Sequence, residues 1–387
     1  MNSIGPRDGS GPSCITLISD NINNLYGSIR VVVLLGKAFK ALGYRVRIIA
    51  PHISGQAYSQ LKGLGFEVVE VGLDLGILGR LRNKYFRELA TWLIHSRAAG
   101  QLIHVNEDCI SINMSYQLPV PSTVYYALGH VSDLLADMSR QYPYLYLLYL
   151  LTEPVIQYVE APYNRALASS NIVAAISRFV ASRLVKRGIR YDAVVYPPID
   201  VELFKPPVKA PEANYALAYI GKEVEVDTII KIADRGVRII VFGSKPFRLP
   251  KRLVEHPNVT YLGEVSDSEL VRLYGNAAFT IFPHTHEPLG LVPLESMACG
   301  TPVLTYAKQG PAETVIHNEA GWLANSKAEL INYAVKLWHL GYPEEFRVNA
   351  RRRALEFGIG NIIREWVRLL APFGISVEKA LKIQAVK

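Results

Sequence analysis

Two glutamates, Glu287 and Glu295, stand with seven residues between them on either side of a glycine. Gly290, Leu291 and Val292 lie where a helix is predicted to begin, and the unpaired N–H groups of a helix start attract phosphate. Glu295 comes three residues after Val292 and so lies on the same helix face. Its carboxylate can accept hydrogen bonds from hydroxyls beside a phosphate, as a ribose presents them. The spacing predicts a site for a nucleotide sugar, with a further polar group of the ligand near Glu287.

The residues around this stretch predict the elements that position it. Phe279–Pro283 is an apolar run typical of a buried strand. A helix is expected to begin between Gly290 and Pro293 and to end at Gly300, and Val303–Tyr306 reads as the next strand. Strand, loop, helix and strand form the repeating unit of an open parallel sheet. Such sheets bind ligands at the carboxyl ends of their strands, where Glu287 is placed.

The stretch from Glu287 to Val303 resembles the E-x7-E signature of the family 4 retaining glycosyltransferases. The segments 309–315 and 321–323 also fit that family. The resemblance implies an α/β GT-B fold, two Rossmann-like domains with parallel sheets facing a central cleft. It further implies that Glu287 holds the transferred sugar, Glu295 the ribose, and the residues from Gly290 to Val292 the phosphates.

The resemblance extends to the first half of the chain at three residues. Gly27 and Ser28 follow the first predicted strand, where the family has a glycine-rich loop close to the donor phosphates. The family usually has paired glycines there, so Ser28 is a departure. His130 is the nearest match to a histidine that touches the donor in many relatives, and a structural histidine after a turn is an equally open interpretation.

In the second half, the resemblance places Lys222 beside the donor diphosphate. Asp227 stands near the position of a second basic residue that the family usually has. Gly263 and Val265 resemble the strand end that meets the nucleotide base. The residues carried over as catalytic are therefore Glu287, His130 and Lys222, and no metal ligand or cofactor is predicted.

The order of these segments predicts a domain layout. The proline-rich segment after Tyr196 is typical of a linker. The predicted divisions are a flexible tail at 1–13, an acceptor domain at 14–196, a linker at 197–213, a nucleotide-sugar domain at 214–360, and a helix at 361–387 that crosses back to the first domain.

The net charge and the cysteines of the chain indicate which partners and which cellular location to expect. The chain has 387 residues and a formal net charge of +8, which favours anionic partners such as nucleotides or a membrane surface. No nucleic-acid-binding module is recognised. The cysteines at 14, 109 and 299 are far apart and indicate neither zinc nor a disulfide framework, so a reducing, cytoplasmic location is expected.

Two apolar stretches bear on the acceptor. Leu78–Leu93 has one apolar face at helical spacing and a basic cluster of Arg80, Arg82, Lys84 and Arg87. Such a helix either covers the sheet with its charges in water or lies on the cytoplasmic face of an anionic membrane. Tyr142–Tyr158 is predicted to be a buried helix, with an apolar acceptor groove as the alternative.

The sequence thus predicts a retaining glycosyltransferase that moves a hexose from a GDP- or UDP-sugar to a glycan or lipid-linked acceptor. The stretch from Tyr196 to Phe204 resembles mannosyltransferases of lipid-linked oligosaccharide assembly, which makes mannose the first candidate. The alternative is a non-catalytic peripheral binding or scaffold protein that kept the fold. A nicotinamide dehydrogenase would need Gly-x-Gly-x-x-Gly after the first strand, where Gly27 stands alone.

Overall fold

The structure is a computed structural model, and it describes residues 12–73, 86–87, 89–95, 108–116, 118–130, 132–133, 136, 143–221, 224–243 and 249–376. The chain forms two compact units. The first contains Met1–Pro198 together with Ile359–Lys387, and the second contains Ile199–Gly358.

The first unit is built on a parallel sheet of seven strands in the order β3-β2-β1-β4-β5-β6-β7. Its central strands are buried at every position, because helices cover both faces of such a sheet. The strands are β1 Cys14–Ile18, β2 Arg45–Ala50, β3 Glu67–Glu70, β4 Cys109–Asn113, β5 Val124–Ala127, β6 Ile172–Ala175 and β7 Ala193–Val194.

Among the described residues before 199, four helices with given bounds follow these strands. Ser54 and Ser177 cap two of them, accepting hydrogen bonds from Ala57 and Val180 N–H. The helices are α1 Ser28–Ala41, α2 Gly55–Gly63, α3 Pro143–Ser169 and α4 Arg178–Lys186; residues 86–87 and 89–95 are also helical.

The second unit repeats the design with a parallel sheet of six strands in the order β10-β9-β8-β11-β12-β13. Its strands are β8 Ala216–Tyr219, β9 Ile239–Phe242, β10 Val259–Gly263, β11 Thr280–Phe282, β12 Val303–Tyr306 and β13 Gly321–Ala324. Its helices are α5 Val226–Ala233, α6 Lys251–Val254, α7 Asp267–Asn276, α8 Leu291–Ala298, α9 Pro311–Thr314, α10 Lys327–Leu340 and α11 Glu345–Leu355. The two parallel sheets confirm the predicted α/β fold class.

The last described segment returns to the first unit. Helix α12, Ile359–Leu370, is followed by a short 3-10 turn at Ala371–Phe373. Its Trp366 ring is fully buried and meets the Tyr126 ring edge-on at 5.0 Å. Residues 199–204, by contrast, lie in the second unit, where Arg351 donates hydrogen bonds to the carbonyls of Val201 and Phe204.

The expectation of unpaired cysteines is wrong for two of the three. Cys14 and Cys109 are register partners on the adjacent strands β1 and β4, and they form a disulfide with Cα atoms 4.7 Å apart. The two cysteines are 95 residues apart in the sequence. Their proximity could not be predicted, because the pairing of parallel strands depends on the tertiary fold. Cys299 is a buried free thiol.

The prediction of a buried helix at 142–158 is also wrong. Helix α3 buries one side, including Ile156, Val159 and Tyr163, against the first unit. Its opposite side exposes six large apolar side chains, namely Tyr146, Leu147, Leu150, Leu151, Val155 and Tyr158. Composition favours burial of such a sequence, but a helix that packs on one side of a sheet leaves its outer face uncovered.

Candidate functional site

The predicted strand–loop–helix is present in the second unit. Strand β11 leads through residues 283–290 into α8, and α8 leads to β12, which pairs in parallel with β11. Buried hydroxyls fix the helix against the sheet: Ser296 Oγ lies 2.7 Å from Thr280 Oγ1 and donates to the carbonyl of Thr301. Gly300 has φ 76°, as expected of a left-handed helix end.

Gly290 precedes the first turn of α8 and has φ 89°, a backbone conformation that favours glycine. No side chain of the described residues caps this helix start. A Cβ at Gly290 would lie 3.2 Å from carbons of Pro293 and Pro311. Leu291 and Val292 are half-buried. The start of α8 thus lies where the sequence predicts it, and the phosphate-binding role of Gly290, Leu291 and Val292 stays a prediction.

Glu295 lies on the buried side of α8, with 7% of its surface exposed. The hydroxyl of Tyr274, from α7, donates to Glu295 Oε2 at 3.3 Å. Burial, and then the negative charge of Glu295, raise the pKa of Tyr274 well above its usual range, and the same two causes raise the pKa of the Cys299 thiol. Both neighbours therefore stay protonated, and Tyr274 keeps its proton for Glu295.

Glu287 is half-buried and is held by the loop that follows β12. Its backbone N–H donates to Gln309 Oε1 at 3.1 Å, and its carbonyl accepts from Gly310 N–H at 3.0 Å. A Cβ at Gly310 would lie 2.2 Å from the carbonyl oxygen of Pro288. The segment 309–310, quoted above for the resemblance, therefore positions the loop that carries Glu287.

An aromatic stack that sequence reasoning missed lies beside this loop. The ring of His284 is parallel to the ring of Phe282 at 3.8 Å and to that of Tyr219 at 5.8 Å, and His284 is 3% exposed. Tyr219 ends β8 and Phe282 ends β11, so the stack joins the carboxyl ends of two adjacent strands. Tyr219 and Tyr274 belong to no recognisable sequence motif. His284 could have been found from its position directly after a predicted strand.

The predicted base-binding residues lie at the carboxyl end of β10. Gly263 has φ 72°, and its carbonyl accepts a hydrogen bond of 2.7 Å from Gly243 N–H at the end of β9. Val265 is half-buried. Lys222, the predicted diphosphate ligand, lies outside the described residues. Asp227, the departure noted above, forms ion pairs with Lys231 and Lys327, each at 2.9 Å.

Gly27 and Ser28 lie in the first unit, at the start of α1 after β1. Gly27 has φ 59° and ψ −131°, no side chain of the described residues caps the helix, and a Cβ at Gly27 would meet no atom within 4 Å. Ser28 is exposed. This helix start leaves room for a ligand group, and the donor role of both residues stays a prediction.

His130 follows β5 in the first unit and is 4% exposed. Its Nδ1 lies 2.9 Å from Glu160 Oε1 and 3.0 Å from Ser132 Oγ, and its Nε2 lies 3.1 Å from Asn164 Oδ1. Burial alone would raise the pKa of Glu160, but the hydrogen bonds and charge of His130, together with Ser132, lower it. Both ring nitrogens face oxygens of the first unit, which gives the structural interpretation of His130 a physical basis.

The candidate residues that the structure describes thus fall into two sets, each at the carboxyl edge of its own sheet. Among the described residues, no group of three His, Cys, Asp or Glu side chains is arranged to hold a metal ion. Likewise, no described helix is long and apolar enough to cross a membrane.

Comparison with solved structures identifies the fold as that of the GT-B glycosyltransferases. The chain aligns with HepE of Anabaena, solved in complex with UDP and glucose, at a TM-score of 0.63 and 16% identity, covering 93% of this chain and 100% of that one. It aligns with WaaG, a glycosyltransferase involved in lipopolysaccharide biosynthesis, at a TM-score of 0.62 and 17% identity, covering 88% and 95%.

Comparison of sequences finds a family match within the second unit. Residues 220–354 match the family Glycosyl transferases group 1. Over 159 residues the chain is 30% identical to an uncharacterized glycosyltransferase of Methanocaldococcus jannaschii, covering 38% of this chain and 41% of that protein. Over 136 residues it is 32% identical to the GDP-mannose-dependent alpha-(1-6)-phosphatidylinositol dimannoside mannosyltransferase of Mycobacterium tuberculosis, covering 34% and 35%. The matches therefore span well under half of these relatives.

Proposed function

We propose that this protein is a retaining glycosyltransferase that moves a hexose from a nucleoside-diphosphate sugar to a hydroxyl of a glycan or lipid-linked acceptor. The observation that carries the proposal is the arrangement on α8. Glu295 is buried against Tyr274 on a helix whose start, at Gly290, lacks a side-chain cap. The N–H groups at the helix start can bind the diphosphate. The carboxylate of Glu295, one turn later, can accept hydrogen bonds from the ribose.

In this proposal the chain stabilises the leaving diphosphate by fixed electrostatics. The N–H groups at the start of α8 lie where negative charge develops as the sugar leaves, and preorganised donors of this kind lower the barrier. Glu287 holds the sugar, and Glu295 accepts hydrogen bonds from the ribose. Lys222, through the family resemblance, supplies a positive charge to the diphosphate.

GDP-mannose is the first candidate donor. The Mycobacterium relative is described as GDP-mannose-dependent, and the segment from Tyr196 to Phe204 resembles mannosyltransferases. UDP-sugars are the second candidate, because HepE was solved with UDP and glucose. The two donors differ in base, so binding measurements separate them directly.

The test is thermal stabilisation by a panel of nucleoside diphosphates and their sugars. A ligand at 100 times its Kd stabilises the folded state by about 2.7 kcal/mol, which raises the melting temperature by several degrees. We expect a shift with one base, lost in Glu295→Ala and retained in Glu319→Ala, which changes an exposed glutamate of the same unit. Absence of any shift would favour the scaffold alternative.

We propose further that the acceptor is carried on a lipid and that α3 rests on the membrane surface. The six exposed apolar residues of α3 lie on its outer face, and Glu153 is the one charged residue between Tyr146 and Tyr158. Tyrosines at both ends of this apolar face suit a membrane interface, where one part of the ring is apolar and the hydroxyl is wet. The net charge of +8 favours an anionic surface.

The size of this apolar face favours a lipid surface over a second copy of the chain. Its six side chains expose on the order of 500 Å2, at the upper end of the apolar patches of soluble monomers. A stable interface between two proteins usually covers about 800 Å2 on each partner. The lysine and arginine cluster at 80–87 lies outside the described residues except for Arg87.

Flotation of the full chain with vesicles of phosphatidylcholine, with and without phosphatidylglycerol, tests this surface. We expect Leu147→Gln with Leu151→Gln to abolish flotation, while Leu340→Gln with Val348→Gln, two exposed apolar residues of the second unit, leaves it unchanged. Equal flotation of both double variants would refute the role of α3. Concentration-dependent dimers, lost in the α3 variant alone, would show that a second copy covers the helix.

A further inference from the structure

A cavity of the second unit lies at the opposite end of its strands from the site described above. Its volume is about 470 Å3, a size typical of small-molecule sites. Asn214 comes just before β8, Arg238 directly before β9, and Ala278 just before β11. The cavity therefore opens at the amino ends of the strands, whereas Glu287 follows the carboxyl end of β11 and Gly263 ends β10.

Arg347, on α11, supplies a buried positive charge to this cavity. It is 8% exposed, and its described hydrogen bonds go to neutral oxygens: the carbonyls of Ala277, Ala278 and Gly300, and the Thr301 hydroxyl. A buried charge is costly without an opposite charge. These bonds also tie α11 to the chain after α8, so Arg347 has a structural role that does not neutralise it.

A second positive charge lines the same cavity. Arg238 is exposed and forms no ion pair with any residue that the structure describes. Glu344 also lines the cavity, so one carboxylate stands against two guanidinium groups. Arginine binds phosphate well, because its planar fork can donate two parallel hydrogen bonds.

The remaining walls suit a ring. Leu337, Trp338 and Tyr342 provide apolar and aromatic surface, and Asn214 and Glu344 provide acceptors for hydroxyl groups. The Tyr342 hydroxyl donates to the Ala278 carbonyl. Aromatic side chains pack against the apolar face of a ring. This wall should therefore bind a ligand that carries a ring more tightly than a bare anion.

We propose that this cavity binds a phosphate monoester carried on a sugar or nucleoside ring, at a site separate from the donor site. Arg238 contacts the phosphate, Arg347 adds positive potential from within the protein, and Trp338 packs against the ring. The proposal does not depend on the glycosyltransferase function, because none of these residues belongs to the α8 site.

Isothermal titration calorimetry of the full chain with three probes tests the site: inorganic phosphate, glucose 6-phosphate and adenosine monophosphate. We expect saturable binding of at least one ester and weaker binding of inorganic phosphate. Arg238→Ala should weaken the ester by about tenfold or more, the usual effect of losing a charge-assisted hydrogen bond. Arg235→Ala is the matched control, since Arg235 is a nearby exposed arginine that donates to Asn332 outside the cavity.

A third variant, Glu295→Ala, distinguishes binding in this cavity from binding at the donor site. Glu295→Ala should leave binding of glucose 6-phosphate, which has no ribose, unchanged, while Trp338→Ala should weaken esters and leave inorganic phosphate unchanged. The proposal is overturned if neither ester binds, if Arg238→Ala and Arg235→Ala behave alike, or if Glu295→Ala removes the binding of glucose 6-phosphate. Equal affinity for inorganic phosphate and both esters would remove the assigned role of the ring.

Discussion

The Tyr274 hydroxyl donates a hydrogen bond of 3.3 Å to Glu295 Oε2, and both side chains are buried. Tyr274 comes from α7 and Glu295 from α8, so the bond joins two helices on one side of the sheet. The Tyr274 ring packs edge-on against Phe204 at 6.1 Å and Phe242 at 5.8 Å. The bond thereby holds one carboxylate oxygen of Glu295 against α7.

Removal of this bond should weaken nucleotide binding more than it weakens the fold. Tyr274→Phe keeps the ring packing and removes one donor, so we expect roughly a tenfold loss of affinity for the nucleoside diphosphate. Tyr215→Phe is the control, because Tyr215 is also buried but donates to the backbone carbonyl of Leu273. Calorimetry that finds equal affinity in the two variants would show that Tyr274 does not position Glu295.

The loop contact at Gly310 gives a second prediction. Gly310→Ala places a methyl group 2.2 Å from the Pro288 oxygen, so the loop that carries Glu287 must move. We expect a loss of about 1–3 kcal/mol in the free energy of unfolding, as for other overpacked sites, and loss of sugar transfer. In Gly360→Ala the new Cβ meets no atom within 4 Å, so this helical control should be neutral or stabilised.

The Cys14–Cys109 disulfide predicts a thiol count and a stability difference. Denatured, unreduced protein should titrate one thiol, that of Cys299. Reduction should lower the free energy of unfolding by about 2–4 kcal/mol, measured by chemical denaturation. Three titratable thiols before reduction, or unfolding curves that coincide with and without reductant, would contradict the disulfide.

The His130–Glu160 pair predicts a dependence of stability on pH. The pKa of Glu160 in the folded protein lies below the unfolded value of 4.5. Its contribution to stability is therefore complete above pH 4.5 and is lost as the pH falls through the lower folded value. The stability advantage of the native protein over Glu160→Gln should shrink below pH 4.5. If the difference in the free energy of unfolding stays constant down to the pH of acid unfolding, the pair makes no pH-dependent contribution to stability.

The parts of the site that sequence could predict are local. The apolar run before Glu287, the glycine at 290, and Gly300 followed by Pro302 specify β11, α8 and β12 almost without tertiary information. The bond from Tyr274 and the partnership of Cys14 with Cys109 depend on which strands and helices become neighbours, and no local pattern encodes that. The apolar composition of α3 favours burial, but composition does not show which side of a helix a neighbour covers.

The pairing of Glu295 with the ribose is the central claim, and a double comparison tests it most directly. Calorimetry should compare a nucleoside diphosphate with its 2′,3′-dideoxy form, in the native protein and in Glu295→Ala. Removing the hydroxyls should cost the native protein about tenfold in affinity, and should cost Glu295→Ala little, because the acceptor is already gone. If the dideoxy form loses the same affinity in both proteins, Glu295 does not bind the ribose and the account of the α8 site is wrong.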